Sequence, residues 1–468
     1  MGRELQEFRE EIATIDGEIL QLVKKRLVAA RKIGELKRKG NVEVVDYKAE
    51  ASVLARAEEI AREEDLDPNL AHRLISALIQ EAVHVQSHPP KNRAYYLYSI
   101  FEKAEALKNQ GKELVRLDVG EPDLAAPIEV KDALRDSLYG SEHVGYVSSK
   151  GLPELREAIA GMLNDRYGTD LKANQVLITP GGKFAVFAAI LAMVSQGERA
   201  VIPEPTWPVY GNVVRLAGGR EDALHTRFEE GWDVDLGELS EMARVHPRLL
   251  VLCTPNNPSG KVFGERMLRE MVEAMGKVGG YVLTDEVYES YASVPTKSIL
   301  EVANSNFIYV NTFSKRYGMT GWRIGYAVSD SETVNRMQSI IQLSITCVPE
   351  FVQKAALATL SMGQDVFEEY AREMQSRVGL ACSGLDQLPV QYLRPDGGMY
   401  VYPRAKMEGF DSEAFAYRLL EEKGIVVTPG EAFGDYPEHF RISLGTSREK
   451  IREGIEGIGE SLQRWSRG

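Results

Sequence analysis

The sequence predicts two architectures in series: an all-α helical N-terminal domain, then an α/β domain with a large, mostly parallel sheet and a smaller α+β lobe. Three observations predict it. Apolar residues early in the chain recur at alternating spacings of three and four, the period of a helix face. That pattern stops at Ser87-His88-Pro89-Pro90, a stiff break. From Arg93 onward short apolar runs alternate with helical stretches, the order that lays strands side by side with helical crossovers. The expected boundaries are 1–88 for the helical domain, 89–94 for the linker and 95–468 for the α/β domain, whose large lobe spans about 131–340 and whose small lobe takes 95–130 plus 341–468.

At 468 residues, 44% hydrophobic and 27% charged, the composition is that of a soluble globular chain of two or three domains. A formal net charge of -13 argues against nucleic acid or an anionic membrane as partner, yet leaves room for small anionic substrates held by local arginines. Cys253, Cys347 and Cys382 are scattered and odd in number. They suit a reducing cytoplasm and offer no metal-ligand spacing. The first residues run straight into a charged amphipathic pattern, and no apolar run approaches the ~18 residues of a membrane span, so a cytoplasmic protein is expected.

In the helical domain, Leu5, Phe8, Ile12, Ile15, Ile19 and Leu22 form a stripe along one long helix. Continuing it puts Arg26, then Ala29, Ile33 and Lys37 or Leu36, on or beside the inward face. A lysine near a helix end can snorkel to water, but a mid-helix guanidinium turned inward needs anionic partners. Further helices are expected at about Tyr47 to Arg62 and, after Asp67-Pro68, Asn69 to Gln86. Three helices, one far longer than the others, make a poor core alone, which predicts dimerisation.

This segment resembles the all-helical chorismate mutases over nearly all its length. The resemblance implies a substrate pocket of Arg9, Arg26, Lys37, Asp46, Glu50 and Gln86, with Arg9 reaching the partner protomer's site. Chorismate rearranges in one concerted step, so catalysis is positioning and electrostatics: arginines hold two carboxylates while Lys37 and Gln86 face the ether oxygen. Two positions depart from the family. Its second acidic motif reads Asp-x-x-Arg-Glu, whereas here it is Asp46-Tyr47-Lys48-Ala49-Glu50, and Lys48 projects about 100° away around the helix. Ala82 stands where bacterial relatives have a serine. An active mutase is the expectation; the alternative is a non-catalytic regulatory or dimerising module that binds aromatic end-products.

In the α/β domain, strands are expected at Leu114 to Val119, Gln175 to Thr179, Ala200 to Pro203, Leu249 to Cys253, Tyr281 to Thr284 and Phe307 to Val310, with chemistry just past each, at the carboxyl edge of the sheet. The richest stretch follows the last of these: Asn311-Thr-Phe-Ser-Lys-Arg-Tyr-Gly-Met-Thr-Gly-Trp-Arg-Ile-Gly-Tyr326. Thr312, Ser314 and Arg323 around Lys315 make a phosphate clamp beside an amine, which suits a phosphorylated carbonyl cofactor held as a Schiff base.

Ser314-Lys315 followed by Met-Thr-Gly-Trp-Arg-Ile-Gly-Tyr resembles the pyridoxal phosphate lysine signature of class I aminotransferases, and the similarity runs from about Arg93 to the end. It implies a fold-type I transferase with pyridoxal 5'-phosphate as cofactor and Lys315, Asp285 and Tyr288 as catalytic residues. Asp285 would pair with the ring nitrogen, Asn257 and Tyr288 would bond the phenolic oxygen, and Trp207 would stack on the ring. Backbone groups of Gly182 and Lys183 at a helix start, with Thr312, Ser314 and Arg323, would hold the phosphate, joined by Tyr146 from the neighbouring subunit of a homodimer. Gly120, Asn257 and Arg441 would bind the amino acid, Arg441 by its α-carboxylate, and the Lys183 side chain is a candidate for a distal carboxylate. The implied function is a bifunctional chorismate mutase and aminotransferase, passing nitrogen between aspartate or glutamate and a keto acid such as prephenate or an arylpyruvate, in phenylalanine and tyrosine biosynthesis. Rival readings are an aspartate aminotransferase with an accessory helical module, or β-elimination on the same fold.

Overall fold

The computed structural model describes residues 2–39, 44–86, 93–140 and 143–465. The chain divides into two compact units, Met1–Lys91 with Gln196–Glu198, and Asn92–Ser195 with Arg199–Gly468.

The first unit is helical: α1 (Gly2–Lys39), α2 (Tyr47–Glu63) and α3 (Pro68–Gln86), with α3 packed against both others. Asp46 caps α2 by accepting from the amide of Ala49 at 3.0 Å, and Pro68 opens α3 where its missing N–H costs nothing. The predicted stripe on α1 is not buried within one chain: Phe8, Ile12, Ile15 and Leu22 are 64%, 57%, 48% and 63% exposed. The reason is length. An α1 of 38 residues runs about 57 Å at the helical rise, roughly twice the reach of α2 or α3, so its first half finds nothing to cover it.

The second unit holds a seven-stranded sheet. Its strands are β2 (Val176–Thr179), β3 (Arg199–Glu204), β4 (Arg220–His225), β5 (Leu249–Cys253), β6 (Tyr281–Asp285), β7 (Phe307–Thr312) and β8 (Gly325–Val328), in spatial order β2-β8-β7-β6-β5-β3-β4. Only β8 runs antiparallel to its neighbours. Burial on both faces explains why the inner strands β5, β6 and β7 read as continuous apolar runs, whereas the edge strand β4 alternates in burial.

Three expectations change here. The first expected strand, Leu114 to Val119, shrinks to β1 (Val115–Arg116), which pairs with Ile425–Val426 outside the large sheet. Its continuation is tied instead to the small lobe, with Ser443 N donating to Leu117 O at 2.7 Å and Ser443 Oγ to Val119 O at 2.6 Å. Strands β4 and β8 were not expected, being polar and glycine-led respectively. Of the expected linker 89–94, residues 89–92 lie outside the described residues, and Arg93 and Ala94 already belong to α4 (Arg93–Asn109). Arg93 is anchored there by the buried carboxylate of Glu204 at the end of β3. Among the described residues no helix is long and apolar enough to cross a membrane.

Candidate active site

A cleft of about 510 Å³ opens past the carboxyl ends of the parallel strands of the large sheet. It gathers Gly120, Gly182, Lys183, Trp207, Asn257, Asp285, Tyr288, Thr312, Ser314, Lys315, Arg323 and Arg441, residues spread over some three hundred positions of sequence. The expected residue outside it is Tyr146, which is 87% exposed on a loop.

Lys315 leaves the end of β7, and its amine donates to the carbonyl of Gly120. Burial pushes the ammonium down to about 8, partly opposed by the charges of Glu121 and Asp285. Asp285, the last residue of β6, moves the other way: burial raises its carboxyl to about 6, against hydrogen bonds from Tyr210 and the amide of Val287. The Tyr210 hydroxyl donates to Asp285 at 2.7 Å. Apart from the Lys315 charge, the partners of this buried carboxylate are neutral, which leaves it suited to a cationic N–H in the cleft.

The other end of the cleft suits an anion. The helix Gly182–Met193 begins with no side-chain cap, so its first amides remain as donors. Beside it, Thr312 and Ser314 are buried with their hydroxyl oxygens 2.9 Å apart. Arg323 closes the group from a left-handed backbone (φ 54°) and donates to the Thr320 carbonyl at 2.8 Å. Gly181 must be glycine for this, since a Cβ there would lie 2.6 Å from the Arg323 guanidinium.

Arg441, on the strand Phe440–Ser443, is only 3% exposed. It donates to Asn257 Oδ1 at 2.9 Å, to Thr428 Oγ1 at 3.2 Å and to the Asp118 carbonyl, while its Nε is buried without a hydrogen-bond partner. The rings of Tyr400 and Phe433 flank it at 4.5 and 4.9 Å. A buried guanidinium held mainly by neutral acceptors retains its appetite for a carboxylate. Lys183 is exposed, with its ammonium 3.2 Å from the Tyr98 hydroxyl.

The chain belongs to the class I and II aminotransferases. The family model for aminotransferase class I and II matches residues 112–458, and that for chorismate mutase type II matches residues 8–87. Over 363 residues the chain is 32% identical to an aspartate aminotransferase of Thermotoga maritima, covering 77% of this chain and 94% of the relative. It is 31% identical to a probable aspartate/prephenate aminotransferase of Aquifex aeolicus, over 78% of this chain and 95% of that one. Among solved structures, the aspartate aminotransferase of Thermus thermophilus with maleate superposes with a TM-score of 0.74 at 32% identity, covering 80% of this chain and all of that one. The protein is thus a transaminase with a chorismate mutase domain.

Several residues of this aminotransferase cleft carried no signal that sequence reasoning used. Tyr210 sits one helical turn past Trp207, and Tyr400 follows the glycine-rich turn at 397–398; the Tyr400 hydroxyl lies 2.8 Å from that of Tyr288. Asp118, Tyr98 and Phe101 also line the cleft.

In the mutase domain, Arg26 is half-buried and donates to the Leu78 carbonyl of α3, so a backbone acceptor, not a carboxylate, meets the inward cation in this structure. Burial lowers its pKa. Gln86 lies against α1 at Gly34, where a Cβ would come within 2.8 Å of Gln86 Cγ. Lys37, three residues on, donates to the Val44 carbonyl at 2.7 Å. Glu50 is buried on α2, whereas Asp46 and Ala49 are exposed. Arg9 is exposed and lies seventeen residues from Arg26 on α1, about 25 Å along the axis, too far to share its pocket within one chain.

Proposed function

We propose that the chain uses pyridoxal 5'-phosphate to move an amino group between aspartate or glutamate and a ring-bearing keto acid, prephenate or an arylpyruvate, and that its helical domain makes prephenate from chorismate. The observation that carries the first part is the meeting, in one cleft, of a depressed lysine, a buried carboxylate and a buried arginine lacking a full set of acceptors. The residues present fit the cofactor: Asp285 for a pyridinium N–H, Thr312, Ser314, Arg323 and the capless helix start for a phosphate, and Lys315 for its carbonyl. When bound, the cofactor supplies that carbonyl and a ring able to accept electron density.

The chain's own groups do the rest. Arg441 would hold the α-carboxylate and so fix the orientation of the bonds at Cα in the cleft. The Lys315 amine, near 8, can take a proton from Cα and return it at physiological pH. Asp285 would hold the ring nitrogen's charge, and Asn257 and Tyr288 would bond the phenolic oxygen. Trp207 covers the ring and excludes water.

The two domains on one chain support prephenate as acceptor, since a mutase would deliver a keto acid to a transaminase. Incubating the full-length protein with chorismate and aspartate should yield an amino acid retaining the prephenate skeleton. Prephenate turnover orders of magnitude below that of 2-oxoglutarate would sink this reading. Two observations favour the alternative, a helical module without mutase activity: Ala49 stands where the resemblance has an arginine, and Asp46 is occupied as a helix cap. A cytoplasmic homodimer completes the proposal. A second copy would cover the bare apolar face of α1 and bring Tyr146 and Arg9 to sites they do not reach in their own chain.

A further inference from the structure

Helix α4 carries Tyr95, Tyr98 and Phe101 at successive spacings of three, and they are 59%, 43% and 40% exposed, whereas Tyr96, Ile100 and Ala104 bury another face. A row of large aromatics left open beside a cleft is a contact surface in waiting. Tyr98 and Phe101 line the same cleft as Lys183 and Trp207, and each is held by a cation. The Lys183 ammonium donates to the Tyr98 hydroxyl at 3.2 Å and lies 5.7 Å from its ring and 5.3 Å from that of Trp207. Arg116 stacks over Phe101 at 4.8 Å, its own guanidinium pinned by both oxygens of Asp118 at 2.7 and 2.8 Å and by Glu105. Phe101 is therefore fixed in place without being buried.

We propose that the rings of Phe101 and Tyr98 select the acceptor, favouring a keto acid whose side chain is a six-membered unsaturated ring over a short dicarboxylic acid, while the Tyr98 hydroxyl, by holding Lys183, serves any distal carboxylate. This rests on the amino-transfer reading above and names the part of the site that discriminates. The ring lies against Phe101 and Tyr98, contacts that a short chain cannot make. The distal carboxylate meets Lys183, which the Tyr98 hydroxyl and the two flanking rings hold ready. Phe101 thus acts on ring-bearing substrates, and Tyr98, through Lys183, is a positioning residue for any distal carboxylate.

The test uses the full-length holoenzyme with aspartate as donor and three acceptors: 2-oxoglutarate, phenylpyruvate and prephenate. Phe101→Leu, which keeps apolar packing beneath Arg116 but removes the ring, should lower kcat/KM for phenylpyruvate and prephenate about tenfold while 2-oxoglutarate stays within about threefold. Tyr98→Phe should raise KM for prephenate and 2-oxoglutarate and spare phenylpyruvate, which has no distal carboxylate. Equal losses on all three acceptors from either variant would mean that the aromatics serve only packing, and would overturn the assignment. Failure of the wild-type protein to use prephenate would instead strike the acceptor reading above, while the ratio of phenylpyruvate to 2-oxoglutarate in Phe101→Leu would still decide the role of the wall.

Discussion

Arg441 donates to the side-chain carbonyl of Asn257 at 2.9 Å, joining the strand Phe440–Ser443 to the loop after β5. The amide thus sets the angle at which the guanidinium faces the cleft. Arg441→Lys keeps the charge and loses the planar fork, so kcat/KM for every amino donor should fall by roughly a hundredfold or more. Asn257→Ala leaves a buried N–H without its acceptor and should cost less. Steady-state rates with aspartate and glutamate check both.

The lysine and the aspartate titrate in opposite directions. Below pH about 8 the Lys315 amine is protonated and cannot attack a carbonyl, so the rate of cofactor capture by the apoprotein should climb about tenfold per pH unit up to that point and then level. Cofactor affinity should weaken as pH falls through about 6, where Asp285 takes up a proton and loses its hold on a pyridinium. Absorbance after mixing apoprotein with pyridoxal phosphate reports both; a capture rate that goes on climbing well past pH 8 would contradict the depression of the Lys315 amine by burial.

The same depressed lysine destabilises the fold. Its pKa is lower in the folded chain than the ordinary lysine value of 10.5, so the cost is fully present below about 8 and vanishes as pH rises toward 10.5. Lys315→Met should therefore raise the Tm of the apoprotein at neutral pH by a few degrees and abolish transamination, with the gain in Tm shrinking in alkali. Thermal melts of the two proteins at several pH values measure it.

Gly120 has no room for a side chain: a Cβ there would lie 2.2 Å from the Tyr400 hydroxyl. Gly120→Ala should part Tyr400 from Tyr288 and shift the carbonyl that accepts from Lys315, lowering kcat about tenfold or more while circular dichroism stays unchanged. An active Gly120→Ala protein would show that this loop moves freely.

In the helical domain, Ala49 sits exposed on the first turn of α2, next to the buried Glu50. Ala49→Arg in the full chain should raise chorismate turnover if the pocket lacks a carboxylate grip. Absence of turnover in both proteins, together with tight binding of phenylalanine or tyrosine, would make the domain a sensor.

The sequence by itself determined the order of the units and the chemistry of the lysine stretch. Local patterns report such things directly: the three-and-four stripe of α1, the apolar runs of the buried strands, and the hydroxyls, glycines and arginine around Lys315 are all set by near neighbours. Tertiary structure alone decided what reaches the cleft from afar. The leash of Val119 to Ser443, the hydroxyl of Tyr210 on Asp285, and the pairing of Tyr98 with Lys183 each join residues brought together by packing across elements. No period along the chain encodes such contacts, because burial and partner identity depend on which surfaces the sheet and the small lobe turn toward each other.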